Sequence, residues 1–206
     1  MTAYRLTPDS DISSFASSDI TRPNLMGIHY RPEGVLEATN GHFAVRVPLA
    51  NSVAHPAAAG ATSPTSPMTF QASAVAAAVK ALPKGDALTR SAALDDGNPP
   101  LAISSTGHTA LPTTVDGGAF PNVPQVILTG EPAASIGLSL DYLKQIVTYL
   151  AKHHPEGKRG MVRLDLYPDR DGKDPGKVSP LAPVVFRAPV GEDRREAQVL
   201  LMPMRL

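Results

Sequence analysis

The side chains best equipped for proton transfer or metal binding in this chain of 206 residues are its six histidines and a short aspartate-rich run. His42, His108 and the adjacent pair His153-His154 are each of the right type for a general base. As joint metal ligands His153 and His154 are poorly placed. Neighbours on a helix point about 100° apart, and neither cysteine nor a paired carboxylate completes a site. Asp169-Arg170-Asp171-Gly172 opens like a calcium loop, yet Asp174 does not complete it, because the glutamate that should close such a loop is missing. A Gly-x-Ser-x-Gly elbow, a phosphate loop and a Cys-His pair are also absent. The sequence therefore points away from an enzyme: no catalytic residue, no metal and no cofactor is expected.

Binding chemistry is better represented. The chain closes on Leu200-Leu201-Met202-Pro203-Met204-Arg205-Leu206. Chain ends usually fray, so an apolar end following a strand-like run needs an explanation. Ala197 to Met202 reads as a last strand, and Pro203 ends its ladder by removing a donor. Met204 and Leu206 are then free to lie in a groove, and methionine is common on surfaces that accept varied peptides. The competing reading is a terminal strand buried in its own sheet.

Composition narrows the partners. A hydrophobic fraction of 42% is that of an ordinary globular protein. A formal net charge of zero argues against a surface that grips phosphate everywhere, while leaving room for a locally basic groove or ring lining. Absence of cysteine excludes a disulfide framework and fits a reducing compartment. The start lacks the basic-then-apolar pattern of a signal peptide, and no apolar run is long enough to span a bilayer. A cytoplasmic protein without membrane contact is expected.

The elements that must position these residues repeat. Three copies of strand, helix, strand, strand, strand are expected. In the first, residues 1–50, the strands are Tyr4 to Thr7, Leu25 to Tyr30, Val35 to Ala38 and Phe43 to Leu49, with a weak helix at Asp11 to Ala16. A turn at Thr39-Asn40-Gly41-His42 follows from Asn-Gly, both of which tolerate positive φ. Residues 51–65 are mostly Ala, Ser, Thr, Gly and Pro with almost no periodicity, and read as a linker. The second copy, 66–125, has a strand at Met68 to Gln71 and an alanine-rich helix capped by Ser73 and running to Lys80. Its remaining strands are Ala87 to Leu94, Leu101 to Ser104 and Thr109 to Val115, the last weakened by Pro112. Residues 126–206 form the third copy. A strand at Ile136 to Leu140 leads into a helix capped by Asp141 and ending at His153, with Leu143, Ile146, Val147 and Leu150 on one stripe. Lys144, Thr148 and Lys152, four apart, share another face. In Met161 to Tyr167, Val162, Leu164 and Leu166 point inward and Arg163 and Asp165 outward. A charged hairpin loop over 169–176 and strands at Pro183 to Arg187 and Ala197 to Met202 complete the copy.

Several stretches resemble the bacterial replicative sliding clamp, the beta subunit of DNA polymerase III. They are Arg22-Pro23-Asn24-Leu25-Met26-Gly27, Ala38-Thr39-Asn40-Gly41-His42-Phe43-Ala44 and Val115-Asp116-Gly117-Gly118-Ala119-Phe120-Pro121-Asn122. In the third copy Ile136-Gly137-Leu138 with Tyr142-Leu143, Ser179 to Val184, and the tail Leu201 to Leu206 are similar too. The turn departs from the family's Ala-Thr-Asp-Gly-His-Arg-Leu-Ala pattern at Asn40 and Phe43. The resemblance implies an α+β chain with the DNA clamp fold, made of about three βαβββ half-domain modules with helices on one face of antiparallel sheets. Residues 1–125 would form a two-module clamp domain and 126–206 a clamp half-domain.

What the family does supplies further expectations. Its tail, its Thr-Asp-Gly-His loop and the strand near Leu25 line an outer cleft that takes short hydrophobic peptides from polymerase and repair partners. Carried over, the cleft would comprise Leu25, Thr39, Gly41, His42, Pro121, Tyr142, Leu200, Met202, Pro203, Met204 and Arg205. Lys80, Lys84, Lys144, Thr148, Lys152 and His153, with His154, would face duplex DNA without reading its bases, or else form an ordinary solvated helix face. The family's ring holds a dozen modules, so a three-module chain would close as a homotetramer. The implied function is a polymerase processivity factor with DNA, polymerase and clamp-loader peptides, and itself as partners. The alternative is a clamp mimic or adaptor that captures such peptides without encircling DNA.

Overall fold

A computed structural model describes residues 3–51, 60–85, 90–113, 119–126, 135–167 and 182–204. The chain divides into two compact units, Met1–Leu128 and Thr129–Leu206.

In the first unit the strands are β1 (Tyr4–Leu6), β2 (Gly27–Arg31), β3 (Val35–Thr39), β4 (Ala44–Pro48), β5 (Ala50–Asn51), β6 (Met68–Gln71), β7 (Ala92–Asp95), β8 (Leu101–Ser104) and β9 (Gly107–Ala110). They form two antiparallel sheets, in the orders β5-β1-β7-β8-β9 and β4-β3-β2-β6. The orders show an exchange between the two modules. Strand β1 of the first module extends the β7-β8-β9 sheet of the second, and β6 of the second extends the β2-β3-β4 sheet of the first. Alternation explains why: Ile28 and Tyr30 on β2 and Phe70 on β6 all point into one core, where Leu6, Leu36 and Leu94 are also fully buried. Each such side chain contributes about 1.5–3 kcal/mol through burial, so exchanging strands fuses two half-cores into one.

Local chemistry diverges from the sequence reading at several points. The weak helix of the first module is two 3-10 turns, Pro8–Ser10 and Ser13–Phe15, because Ser13 and Asp11 spend their polar groups on each other rather than on a helical ladder. Helix α1 (Ala72–Lys80) begins one residue before Ser73, with Gln71 at the cap position and no side-chain cap. The linker stretch is partly structural. Ala50–Asn51 is paired to β1, and Ser63 is buried, its Oγ accepting from the Tyr4 N–H at 2.7 Å. Beyond Ala110, Pro112 stops the ladder, leaving an isolated bridge from Thr113 to Phe70.

The second unit follows a short helix α2 (Val123–Val126) that closes the first. It contains α3 (Leu140–His153) and a three-stranded antiparallel sheet of β10 (Arg163–Asp165), β11 (Val184–Val190) and β12 (Arg195–Leu201), in that order. Ile146 and Leu150 of α3 pack with Val184, Phe186, Ala188 and Leu201. Ser139, not Asp141, is at the N-cap of α3. The strand expected at Ile136 to Leu140 is reduced to one bridge, Gly137 to Met204, with the Met204 N–H donating to the Gly137 carbonyl at 2.8 Å. Leu164, Leu166 and Val147, expected inward, are each about half exposed or more. The charged loop over 169–176 lies outside the described residues.

Candidate functional site

The Thr39–Phe43 turn is built by side chains standing in for backbone. Gly41 adopts φ 89°, open to glycine at no cost, whereas Asn40 stays at negative φ and uses its amide instead. Asn40 Oδ1 accepts from the His42 and Phe43 N–H groups at 3.0 and 3.3 Å. Thr39 Oγ1 donates to the Phe43 carbonyl at 2.7 Å and accepts from the Gly41 N–H at 3.1 Å. A Cβ at Gly41 would sit 3.1 Å from Arg22 Nη1, so the turn is also pressed against the segment before β2. Phe43 is fixed edge-on to Phe15, with ring centroids 5.3 Å apart.

Facing this turn is the segment 119–126. Phe120 stacks on His29 at 4.6 Å with rings 4° from parallel. Asn122 Oδ1 accepts from Arg31 Nη2 at 3.4 Å, and Asn24 Nδ2 donates to the Ala119 carbonyl at 3.2 Å. Burial pushes the His29 pKa down, and the Arg31 charge adds to this, which favours the neutral form of the ring stacked on Phe120. Between turn and segment lies a recess of about 310 Å³ whose walls include Leu25, Thr39, Gly41, His42, Phe43 and Pro121, with Val123 and Val126 beyond them. Five of the residues expected in the cleft are thus brought together. Leu25 and Thr39 are buried in its floor, and Gly41, His42 and Pro121 are exposed at its rim. Such a hollow, apolar beneath and polar at the edge, suits an aliphatic or aromatic anchor side chain.

In the second unit a wider, shallow groove of about 920 Å³ runs along α3. It brings Tyr142 and Met204 together with Lys144, Thr148 and Lys152. Residues assigned on sequence grounds to a peptide cleft and to a DNA-facing surface therefore share one groove. Leu200 and Met202 are exposed outside its lining, Pro203 is half-buried, and Arg205 lies outside the described residues. Leu200 belongs to the sheet face turned away from α3, because it pairs with Val185 and Asp165 rather than with Phe186 and Leu164. The competing reading of the tail holds for its strand, since Leu201 is buried, while Met204 keeps a side chain 57% exposed.

Lys80 and Lys84 lie beside Arg90 around a hollow at the C-terminal end of α1, with Asp11 on its wall. His153 is exposed and packs against Tyr149 at 4.8 Å. His154 departs from expectation: it is buried, and its Nδ1 accepts from the Glu156 N–H at 3.0 Å, so it is not part of any outward basic face. Among the described residues no cluster of His, Cys, Asp or Glu could hold a metal ion. No helix among them is long and apolar enough to cross a membrane.

Residues that the sequence reading passed over hold the recess in place. Glu37 is fully buried yet takes Arg31 Nε at 2.8 Å and Arg46 Nε at 3.1 Å. Arg31 then reaches Asn122, so one buried carboxylate orients the arginine that anchors the far wall. An isolated glutamate in an otherwise apolar strand, Val35-Leu36-Glu37-Ala38, was the available signal. Val126 carried none beyond being apolar.

A five-stranded and a four-stranded sheet that trade first strands, backed by a helix, together with a further module of the same order, define a DNA clamp fold. Solved structures agree. The DNA polymerase III beta chain of Streptococcus pneumoniae matches with a TM-score of 0.61 at 14% identity, covering 100% of this chain and 50% of that one. The DNA polymerase III subunit beta of Pseudomonas aeruginosa matches at 0.58 and 16%, covering 100% and 52%. The sliding clamp of Bartonella birtlesii, bound to griselimycin, matches at 0.51 and 14%, covering 98% and 50%. The chain therefore spans about half the length of these clamps. No protein-family model matches the sequence, and no curated protein matches it by sequence.

Proposed function

We propose that the chain serves as a sliding clamp, a processivity factor that keeps a polymerase near its template by tethering rather than by chemistry. The observation that supports this reading is the clamp fold over the whole chain, together with the apolar-floored recess beside the Thr39–Phe43 turn. Copies would assemble into a ring around duplex DNA, a homotetramer by module count, working in the cytoplasm. Lys80, Lys84, Lys144, Thr148, Lys152 and His153 would face phosphates without base selectivity. A hydrophobic peptide from a polymerase or clamp loader would seat its anchor between Leu25 and Pro121, beside Thr39, Gly41 and His42. Tyr142, Leu200, Met202, Pro203, Met204 and Arg205 would add a second group of contacts. Tethering raises the effective concentration of a bound polymerase at the template, so each release is followed by rapid recapture.

The test separates binding to DNA from topological retention. The chain should remain on nicked circular DNA and run off once that circle is linearised; equal retention on both forms would overturn the ring. A recess formed within the first unit alone favours a second reading, an adaptor that holds clamp-binding peptides without DNA. Peptide binding lost on Phe43→Ala, with no retention on circles, would select that adaptor.

A further inference from the structure

The first unit contains a pairing rule that the second unit obeys only halfway. In each module the opening segment pairs on one side with the chain just after its own last strand: β1 with β5, Phe70 with Thr113, and Gly137 with Met204. In the first unit the opening strand pairs on its other side with the first strand after the helix position of the opposite module, β1 with β7 and β6 with β2. Among the described residues the third module has no opposite. Segment 135–139 therefore has one side engaged and, among the described residues, no strand on the other. The equivalent acceptor, β10, is an edge strand among the described residues.

Side chains repeat the asymmetry. Ile28 and Phe70, which face each other across the exchange, are fully buried. Leu164, on the helix-facing side of β10 opposite Phe186, is 53% exposed and Leu166 is 49% exposed. An open strand edge is a template for pairing. Only eight residues separate Val126 from the next described residue, Ser135, too few for the missing module to come from that part of the chain.

We propose that unit Thr129–Leu206 pairs with a second copy of itself about a two-fold axis, each copy laying segment 135–139 against the β10 edge of the other. The surface is self-complementary, because one module carries both the donor segment and the acceptor edge, which is what an isologous contact needs. Leu138 of one copy then covers Leu164 of the other, as Phe70 covers Ile28. The inference names one contact that a ring of this chain would use, but it rests on the pairing rule alone and not on DNA binding.

The chain has no cysteine, so introduced thiols report cleanly. Full-length Leu138→Cys and Leu164→Cys chains, mixed and mildly oxidised, should form a disulfide-linked heterodimer; a mixture of Leu138→Cys with Leu200→Cys should not. In sedimentation, Leu164→Lys should weaken self-association about tenfold or more, about 1.4 kcal/mol, while leaving the melting of the dissociated chain unchanged. Backbone amides of Arg163–Asp165 should gain hydrogen-exchange protection as concentration rises. A wild-type chain that stays monomeric, equal cross-linking in both mixtures, or self-association unmoved by Leu164→Lys would each overturn the proposal. A cross-linked dimer that slips off circular DNA would sink the clamp reading and leave this one standing. Circle retention without the 138–164 cross-link would do the reverse.

Discussion

The two units are built from the same module but differ in how much of it is buried. Where two modules meet, first strands change sheets and Phe70, Tyr30, Ile28 and Leu36 become wholly inaccessible. Where one stands alone, Leu164, Leu166 and Val147 remain in contact with water, and the opening strand shrinks to a single bridge. The difference teaches that burial of this module's hydrophobic pattern depends on a second module packing against it. One sheet and one helix have too little facing surface to cover a strand edge and a helix flank at once. Polar groups follow the same division. Glu37 is locked inside between two arginines, whereas the Arg163–Asp165–Arg187–Glu196 network lies on an open sheet face.

The contrast is sharpest for core truncations. Phe70→Ala should cost about 3–5 kcal/mol in denaturant unfolding of the first unit, since it empties a fully enclosed site. Leu138→Ala, at a half-buried position, should cost clearly less at low protein concentration. Equal losses would erase the distinction between a paired and an unpaired module. Next comes the buried carboxylate. Glu37→Ala should destabilise by about 2 kcal/mol, because two guanidinium partners lose their acceptor inside the first unit. Asp165→Asn should do less to the second unit. Burial pushes the Asp165 carboxyl up, but hydrogen bonds from Arg187 and Arg163 outweigh this and hold it below the usual range, at a site that solvent reaches.

A smaller effect is expected at the turn. Gly41→Ala places a Cβ at positive φ against Arg22 and should cost about 1 kcal/mol while reshaping the recess, so anchor-peptide affinity should fall more than stability does. Tyr142→Ala, in the other unit, should change peptide affinity without touching that recess. The smallest signal is a pH slope. Because His29 has a folded-state pKa below its ordinary value of 6.5, the unfolded chain takes up its proton first. The first unit should thus hold its stability above about pH 6.5 and lose some as pH falls below it. Urea midpoints of wild type and His29→Gln, compared at neutral and mildly acidic pH, check the sign; a wild-type midpoint that rises on acidification would contradict it.

Much of the fold was legible in order along the chain. Alternating strands at Val35 to Ala38, Met68 to Gln71 and Leu101 to Ser104, and the α3 stripe of Ile146 and Leu150, are local signals that survive packing. The turn was legible because Thr39, Asn40 and Gly41 carry their hydrogen-bonding and φ preferences with them. Legibility failed where a residue's state depends on something distant. Nothing local to Ser63 says that it will bond Tyr4 and sit buried, and nothing local to Leu164 says that its inward face will lack a cover.

By itself the sequence determined the repeat, the Thr39–Phe43 turn, the apolar tail and the absence of familiar catalytic motifs, because each depends on contacts a few residues apart or on residue type. Only tertiary structure decided the strand exchange, the burial of Glu37 and His154, the joining of segment 119–126 to the recess, and the outer position of β10 among the described strands. Those depend on pairing partners tens of residues away, which backbone ladders and burial select together and which no local pattern encodes.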